Sequence, residues 1–305
     1  LLKALVFLID KDKYCDEKIK ADIDETVRYV RECGYSSELF HSAEEIESSF
    51  ASEKETTLVA TDRGEASEKL LADGYYVVGV LHDDRDVQEF KGAKYVFSEI
   101  ENVDMDSFVK VFQRYAEEPW EILRTERLLI RETTIEDVDE FYKLYSDPSM
   151  TEFIEGLFED PEDEKRYQRD YIKKVYGLMG FGVWTLVRLS DGAIVGRAGY
   201  SVRNGFDEVE LGYLIGKDYQ RQGYAMEACQ AILDYGRDVL QFDKVQTLVK
   251  AENEASIAMC EKLGFVKDSE VDVEENIYGN EYKGGGKVDI SKATFGKYVR
   301  MTRVF

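Results

Sequence analysis

The chain has 305 residues, of which 44% are hydrophobic and 34% charged, and its formal net charge is -23. That length exceeds what one core usually fills, so two domains are expected, and no apolar run approaches the ~18 residues that span a bilayer, so no membrane partner is expected. The acidity argues against nucleic acid as a partner, because phosphate backbones are held by clustered Lys and Arg, and leaves either plain solubility or attraction of a cationic substrate as its meaning.

The first residue is Leu1 rather than Met, so a start residue or tag is expected ahead of this numbering. The apolar stretch 4–9, ended by Asp10 and Lys11, reads as a first strand rather than as the hydrophobic segment of a signal peptide, which makes a cytoplasmic address the expectation. Over 1–118, strand-like runs at 4–9, 57–61, 75–81 and 94–97 alternate with amphipathic helical stretches at 16–32, 65–72 and 105–115. This alternation predicts a Rossmann-like α/β domain with a mainly parallel sheet, with Gly34 and Gly74 as helix C-caps. Cys15, Cys33, Cys229 and Cys260 are scattered, with only His41 and His82 beside them, so neither a metal site nor a disulfide framework is expected.

The alternation stops at Pro119, the first of three prolines, and the boundary between domains 1–118 and 119–305 is placed there. The second domain reads as strand 128–131, helix 134–145, an acidic helix from Pro161, and strands 183–188 and 193–202 joined by Asp191-Gly192 in a favoured hairpin turn. Strand 208–215, helix 225–239, strand 245–250 and helix 254–263 follow, then a mobile glycine loop at 284–286 and a closing strand 298–305. Oligomeric state leaves no trace in the pattern.

Between strand 208–215 and helix 225–239 lies Tyr219-Gln220-Arg221-Gln222-Gly223-Tyr224-Ala225. A polar turn entering a helix offers unpaired backbone N–H groups and the positive end of the helix dipole, which together suit a diphosphate. Gly223 removes a Cβ from the approach, Ala225 keeps it narrow, and Arg221 or Gln222 can add side-chain donors. On these residues alone the motif is weak, and an ordinary strand-to-helix turn is the default reading.

The surroundings of the turn resemble the GNAT superfamily of N-acetyltransferases, in particular the branch of the ribosomal-protein acetyltransferases RimJ and RimL, over 122–265. The residues that carry the resemblance are Thr125-Glu126-Arg127-Leu128-Leu129-Ile130-Arg131, Glu210-Leu211-Gly212-Tyr213, Gln220 to Ala225, and Asn253-Glu254-Ala255-Ser256 running into Glu261-Lys262-Leu263-Gly264-Phe265. The resemblance implies an α+β domain with a mixed, twisted sheet and acetyl-CoA lying in a V-shaped gap between two neighbouring strands. It assigns Leu214 and Ile215 to the pantetheine arm and Gln220, Arg221, Gln222, Gly223, Tyr224 and Ala225 to the pyrophosphate. It places Asn253 and Ser256 beside the cofactor, although these two also read as a helix N-cap and its first turn. Tyr176, Phe181 and Trp184, with Tyr167 and Tyr171, lie on or after the helix that covers the acceptor pocket in the family, or read as core.

The activity so implied is transfer of an acetyl group to a primary amine, a protein N-terminus or a small molecule, by direct attack through a tetrahedral intermediate. An amine of pKa near ~10 must first lose a proton. Glu210 is expected to accept it, with Glu208 two residues away as a cooperating carboxylate, while both also read as solvated strand residues. A backbone N–H near Ile215 is expected to steady the oxyanion. Many family members place a Tyr seven residues after the Asn to protonate the departing thiolate. Here that position is Cys260, read either as the acid or as a packing residue.

Val6-Phe7-Leu8-Ile9-Asp10-Lys11-Asp12 resembles the start of haloacid dehalogenase-type phosphatases, with a second echo at Leu58-Val59-Ala60-Thr61-Asp62. That family's Lys motif and second acidic pair lack a clear counterpart, so 1–118 is expected to be a catalytically silent, degenerate relative. Two alternatives stay open: a non-catalytic CoA-binding sensor, and a bifunctional protein with a phosphatase-like first domain.

Overall fold

The computed structural model describes residues 1–83, 88–279, 281–285 and 293–305, so Gly286 of the expected glycine loop lies outside the described residues. The chain divides into two compact units, Leu1–Glu118 and Pro119–Phe305.

In the first unit, β1 (Ala4–Leu8), β2 (Leu39–Phe40), β3 (Thr57–Thr61), β4 (Tyr76–Leu81) and β5 (Val96–Ser98) form a parallel sheet in the order β2-β1-β3-β4-β5. Every residue of β1 and β3 is buried, which explains their unbroken apolar runs: a parallel sheet covered on both faces has no wet side. Helices α1 (Glu17–Glu32) and α4 (Met105–Ala116) supply Ile23, Val30, Phe108 and Phe112 to one buried cluster. Helices α2 (Ala43–Phe50) and α3 (Gly64–Ala72) supply Ile46, Phe50 and Leu70 to another. Gly34 (φ +91°) and Gly74 (φ +93°) do end α1 and α3 in the left-handed conformation. Strand β2 and helix α2 are absent from the sequence reading. Two residues carry no period, and α2 is announced only by its Ser42/Glu45 capping box.

The second unit contains an eight-stranded mixed sheet in the order β12-β13-β11-β10-β9-β8-β7-β6. Its strands are β6 (Glu121–Arg124), β7 (Leu128–Arg131), β8 (Val183–Arg188), β9 (Ile194–Ser201), β10 (Val209–Ile215), β11 (Lys244–Lys250), β12 (Val266–Glu275) and β13 (Thr294–Val304). Only β10 and β11 run parallel. Helices α8 (Tyr224–Asp238) and α9 (Glu254–Lys262) pack Cys229, Ile232, Leu233 and Ile257 into the main core, and the Tyr200 hydroxyl donates to the Ile232 carbonyl at 3.0 Å. Helix α5 (Asp137–Leu144) meets β9 through Phe141 and Arg197. Residues 197 and 200 point to opposite sides of the strand, so α5 lies across the sheet from α8. Helix α6 (Pro161–Tyr171) continues through a π-turn, Ile172–Tyr176, into the short α7 (Gly177–Met179).

Three local expectations need correction. Helix α5 begins at Asp137, not at 134, because the Asp137 carboxylate accepts from the Thr134 amide and forks with Arg131, which fixes the preceding residues as a turn. Asp191-Gly192 is not a two-residue turn of the favoured type. Only Gly192 has positive φ, and the loop closes through Arg188 N to Ala193 O, 2.8 Å, and Gly192 N to Arg188 O, 2.9 Å. Strand β12 was not foreseen, because its mostly exposed sequence VKDSEVDVEE has the composition of an edge strand rather than of a buried one.

Among the described residues no helix is long and apolar enough to cross a membrane, and no group of His, Cys, Asp and Glu is placed to hold a metal ion.

A Cβ added at Gly196 on β9 would run into the Leu214 carbonyl oxygen, and neither strand can retreat without breaking the Ile215↔Gly196 and Leu214↔Arg197 register. Gly196→Ala is expected to lower the unfolding free energy by about 1–3 kcal/mol, measured by urea denaturation. Unchanged stability would contradict this close approach.

Candidate functional site

Strand β10 pairs with β9 from Glu210 to Ile215, but with β11 only at Val209↔Val245 and Glu210↔Gln246. Beyond Glu210 the two parallel strands share no ladder, while β11 continues along β13 as far as Lys250↔Tyr298. Leu211–Ile215 therefore presents an edge without a strand partner, and Leu214 and Ile215 lie on it.

At the end of β10 the chain passes through Lys217–Tyr219 into the turn before α8. Gly223 is the residue preceding the helix, in the left-handed conformation (φ +87°), and no side chain caps the first turn. Arg221, Gln222 and Gly223 are exposed, and Arg221 too has positive φ (+58°). The first-turn amides of α8 are thus available to an anion. The side chains expected to assist are engaged elsewhere: Gln220 Nε2 donates to the Ile215 carbonyl at 3.0 Å and Gln222 Nε2 to the Asp218 carbonyl at 2.9 Å. They shape the turn and leave its backbone to face outward.

What holds the turn in place comes from far earlier in sequence. Glu227, one turn into α8, accepts from Thr125 Oγ1 at 2.5 Å and from the Arg127 amide at 2.9 Å, and its other oxygen accepts from Arg127 Nε at 2.7 Å. The Arg127 guanidinium also donates to the Gln222 carbonyl at 2.9 Å and lies 4.5 Å from the Tyr224 ring centre. Burial alone would raise the Glu227 pKa, but the hydrogen bonds from Thr125 and Arg127 outweigh it and hold the carboxyl below its ordinary range. This clamp escaped the sequence reading, although the Thr125-Glu126-Arg127 motif was its signal.

Helix α9 begins with the cap expected as one of two readings: Asn253 Oδ1 accepts from the Ser256 amide at 3.1 Å. The Ser256 hydroxyl meets the Tyr213 hydroxyl at 2.9 Å, which ties α9 to the divergent strand. Cys260 is only 1% exposed, and burial pushes its thiol up to about 11. Such a thiol is neither a ready nucleophile nor a ready acid.

The two expected carboxylates have different surroundings. Glu208 contacts Lys244 Nζ at 2.7 Å and the Arg300 guanidinium; the Lys244 hydrogen bond, with the nearby Arg300 charge, holds its pKa below the usual glutamate value despite partial burial. Glu210 is 7% exposed, and burial raises its pKa while its single cation, Arg203 at 3.0 Å, opposes the rise. A carboxylate so poised suits a general base better than one held by two cations.

On the α5 and α6 side of the sheet lies a cavity of about 590 Å³, floored by Gly212, Tyr213 and Leu214 and walled by Arg197, Tyr167 and Tyr171 among others. Gly212 and Leu214 share the face of Glu210, by the two-residue period of the strand. Tyr176, Phe181 and Trp184 do not line this cavity. Trp184 is fully buried against Tyr200 and Tyr235, Phe181 packs on Tyr200 and Phe242, and Tyr176 is buried with its hydroxyl donating to the Val183 carbonyl at 2.6 Å. The aromatic lining includes instead Tyr145, Phe158 and Tyr278, from scattered segments without periodicity.

In the first unit, the D-x-D at the end of β1 is engaged internally. Asp10 accepts from the Asp12 and Lys13 amides at 2.9 and 3.2 Å, while the buried Asp62 accepts from the Asp10 amide and contacts His82 at 2.9 Å.

A family model described as an acetyltransferase (GNAT) domain matches residues 127–266, all within the second unit. The chain is 29% identical over 154 residues to the uncharacterized N-acetyltransferase p20 of Bacillus licheniformis, a match covering 48% of this chain and 84% of that protein. It is 30% identical over 147 residues to the uncharacterized N-acetyltransferase YnaD of Bacillus subtilis, covering 48% and 83%. A solved structure described as a ribosomal-protein-S5-alanine acetyltransferase from Vibrio fischeri aligns with 16% identity and a TM-score of 0.46, over 60% of this chain and 95% of that one. The haloacid dehalogenase resemblance of the first unit finds no support in these matches.

A glutamate whose folded pKa is depressed contributes stability above its unfolded pKa of about 4.3 and loses it as pH falls through the lower folded value. The stability difference between wild type and Glu227→Gln should therefore be greatest above about pH 5 and shrink below pH 4.3, as followed by chemical denaturation across that range. A difference independent of pH would mean that the clamp is not ionic.

Proposed function

The chain belongs to the acetyltransferase (GNAT) family, and from that premise we propose that its second unit transfers the acetyl group of acetyl-CoA directly to a primary amine, on a small molecule or a protein N-terminus. The observation that carries this reading is the parting of β10 from β11 beside a helix start that is clamped in position yet uncapped. The residues present fit the cofactor. The edge of Leu211–Ile215 offers backbone groups to an extended amide-bearing arm, and the exposed turn Arg221 to Gly223 with the first amides of α8 offers donors to a diphosphate. When bound, acetyl-CoA supplies the acetyl group already activated as a thioester.

The chain's own residues then have three tasks. Glu210, at the point where the strands part, takes the proton of the incoming ammonium, and Arg203 limits how far burial raises its pKa. Glu208 keeps β10, β11 and β13 together through Lys244 and Arg300, a positioning task. The Tyr213 hydroxyl, paired with Ser256 and kept protonated by burial, serves as the hydrogen-bond donor for the departing sulfur where Cys260 was expected. The high pKa of Cys260 also favours direct transfer over an acetylated-cysteine route.

Calorimetry should detect CoA binding to the wild type, and Gly223→Glu, which puts a carboxylate and a Cβ at a left-handed position beside the turn, should abolish it. No binding by the wild type, or equal binding by wild type and variant, would remove the reading. With an amine panel and thiol release as the readout, Glu210→Gln is expected to lower kcat by about 100- to 10,000-fold, leaving CoA binding intact. In the wild type kcat/KM should fall on the acid side through a pKa above the ordinary glutamate value of about 4.3, because the base must be ionised and burial raises it. An acid limb at or below that value would exclude Glu210 as the base.

A further inference from the structure

The cavity wall contains one cation, Arg197, whose guanidinium is not closed by a carboxylate hydrogen bond among the described residues. Arg197 leaves β9 directly opposite Leu214, and its guanidinium lies 4.4 Å from the centre of the Phe141 ring. Its Nε is buried without a hydrogen-bond partner. The titratable groups that face it are Tyr145, which hydrogen-bonds to it, and Tyr176, Glu164, Tyr171 and Tyr167. Burial keeps the four phenols protonated, so they bring no charge. Glu164, itself buried, turns its oxygens elsewhere: Oε1 accepts from Gln168 Nε2 at 2.9 Å and Oε2 from the Phe158 amide at 3.3 Å.

Other arginines on or beside the same sheet hold carboxylates. Arg131 forks with Asp137 at 2.7 Å on both arms, Arg203 holds Glu210, and Arg300 holds Glu208. Glu164 attracts the guanidinium but spends its oxygens on other donors, so that charge, the Tyr145 hydroxyl and the Phe141 ring leave the Nε end of the fork open. A planar fork of donors lining a cavity is matched by a carboxylate.

We propose that Arg197 receives the carboxylate of the acceptor, which makes the acceptor an amino-carboxylate, a free amino acid or an amine bearing a carboxylate a few bonds from the nitrogen. The inference rests on the acetyl-transfer reading for the amine and adds the anionic end. Because Arg197 pairs with Leu214, the carboxylate seat adjoins the divergent edge where the acetyl group is expected, and both ends of a short molecule fit one cavity. Glu155 and Glu159, exposed on the lining, draw the ammonium end toward the cavity. A polyamine would bring a second positive charge against Arg197 and is disfavoured.

The test uses the full chain, acetyl-CoA and matched acceptors: the amino acids, their carboxamides, the corresponding decarboxylated amines, and spermidine, with thiol release as the readout. Wild type should favour the carboxylated member of a pair on the order of 100-fold in kcat/KM, and Arg197→Gln should bring that ratio close to one, with CoA binding retained. Arg197→Lys should restore only part of it, since an ammonium lacks the fork. Equal use of the paired acceptors, better use of spermidine, or an equal loss for all acceptors in Arg197→Gln would overturn the proposal. If CoA binds by calorimetry and no amino-carboxylate is turned over, the proposal fails and the cofactor reading stands; if CoA does not bind, both fail.

Discussion

The site depends on a ladder that stops. Strand β10 is bound along its length to β9, where the absence of a Cβ at Gly196 admits the Leu214 carbonyl, so it cannot follow β11. Strand β11 is bound along its length to β13 and cannot follow β10. Two parallel strands anchored to different neighbours part after two residue pairs, and the parting leaves backbone edge, helix start and cavity floor next to one another. The ionic clamp of Thr125, Arg127 and Glu227 then secures the turn without occupying its amides, which a conventional N-cap side chain would do.

Charge is distributed around this opening unevenly. Glu208 and Glu210 stand two residues apart, and the strand period assigns them alike. Their difference comes from neighbours distant in sequence: Lys244 and Arg300 on one, Arg203 and deep burial on the other. One carboxylate consequently joins three strands, while the other retains a titration that moves with its surroundings.

The sequence shows most where local and tertiary requirements coincide. ALVFL at 4–8 is both a β-rich run and doubly covered, and Gly34 and Gly74 are at once helix stops and left-handed residues. The order of strand, turn and helix around Gly223 is legible because the residue before the helix takes the left-handed conformation that favours glycine. Legibility ends where a role is set by partners that sequence does not order. Strand β12 hides in a charged stretch, and the cavity's Tyr145, Phe158 and Tyr278 come from three separate segments. Tyr176 and Trp184, placed near the acceptor pocket by the family resemblance and read alternatively as core, are fully buried, while Phe181 is half-buried against Tyr200 and Phe242.

The substitution of Cys260 for the tyrosine common in such proteins acquires a physical account from these contacts. A thiol pushed up to about 11 holds its proton too firmly to protonate a thiolate whose own pKa is near ~8.5. The leaving sulfur of a thioester needs little protonation at neutral pH, so a neutral donor at hydrogen-bond distance is enough to steady it. In the proposed reaction Tyr213, on the strand that also floors the cavity, is such a donor, and its hydroxyl contact with Ser256 ties it to α9.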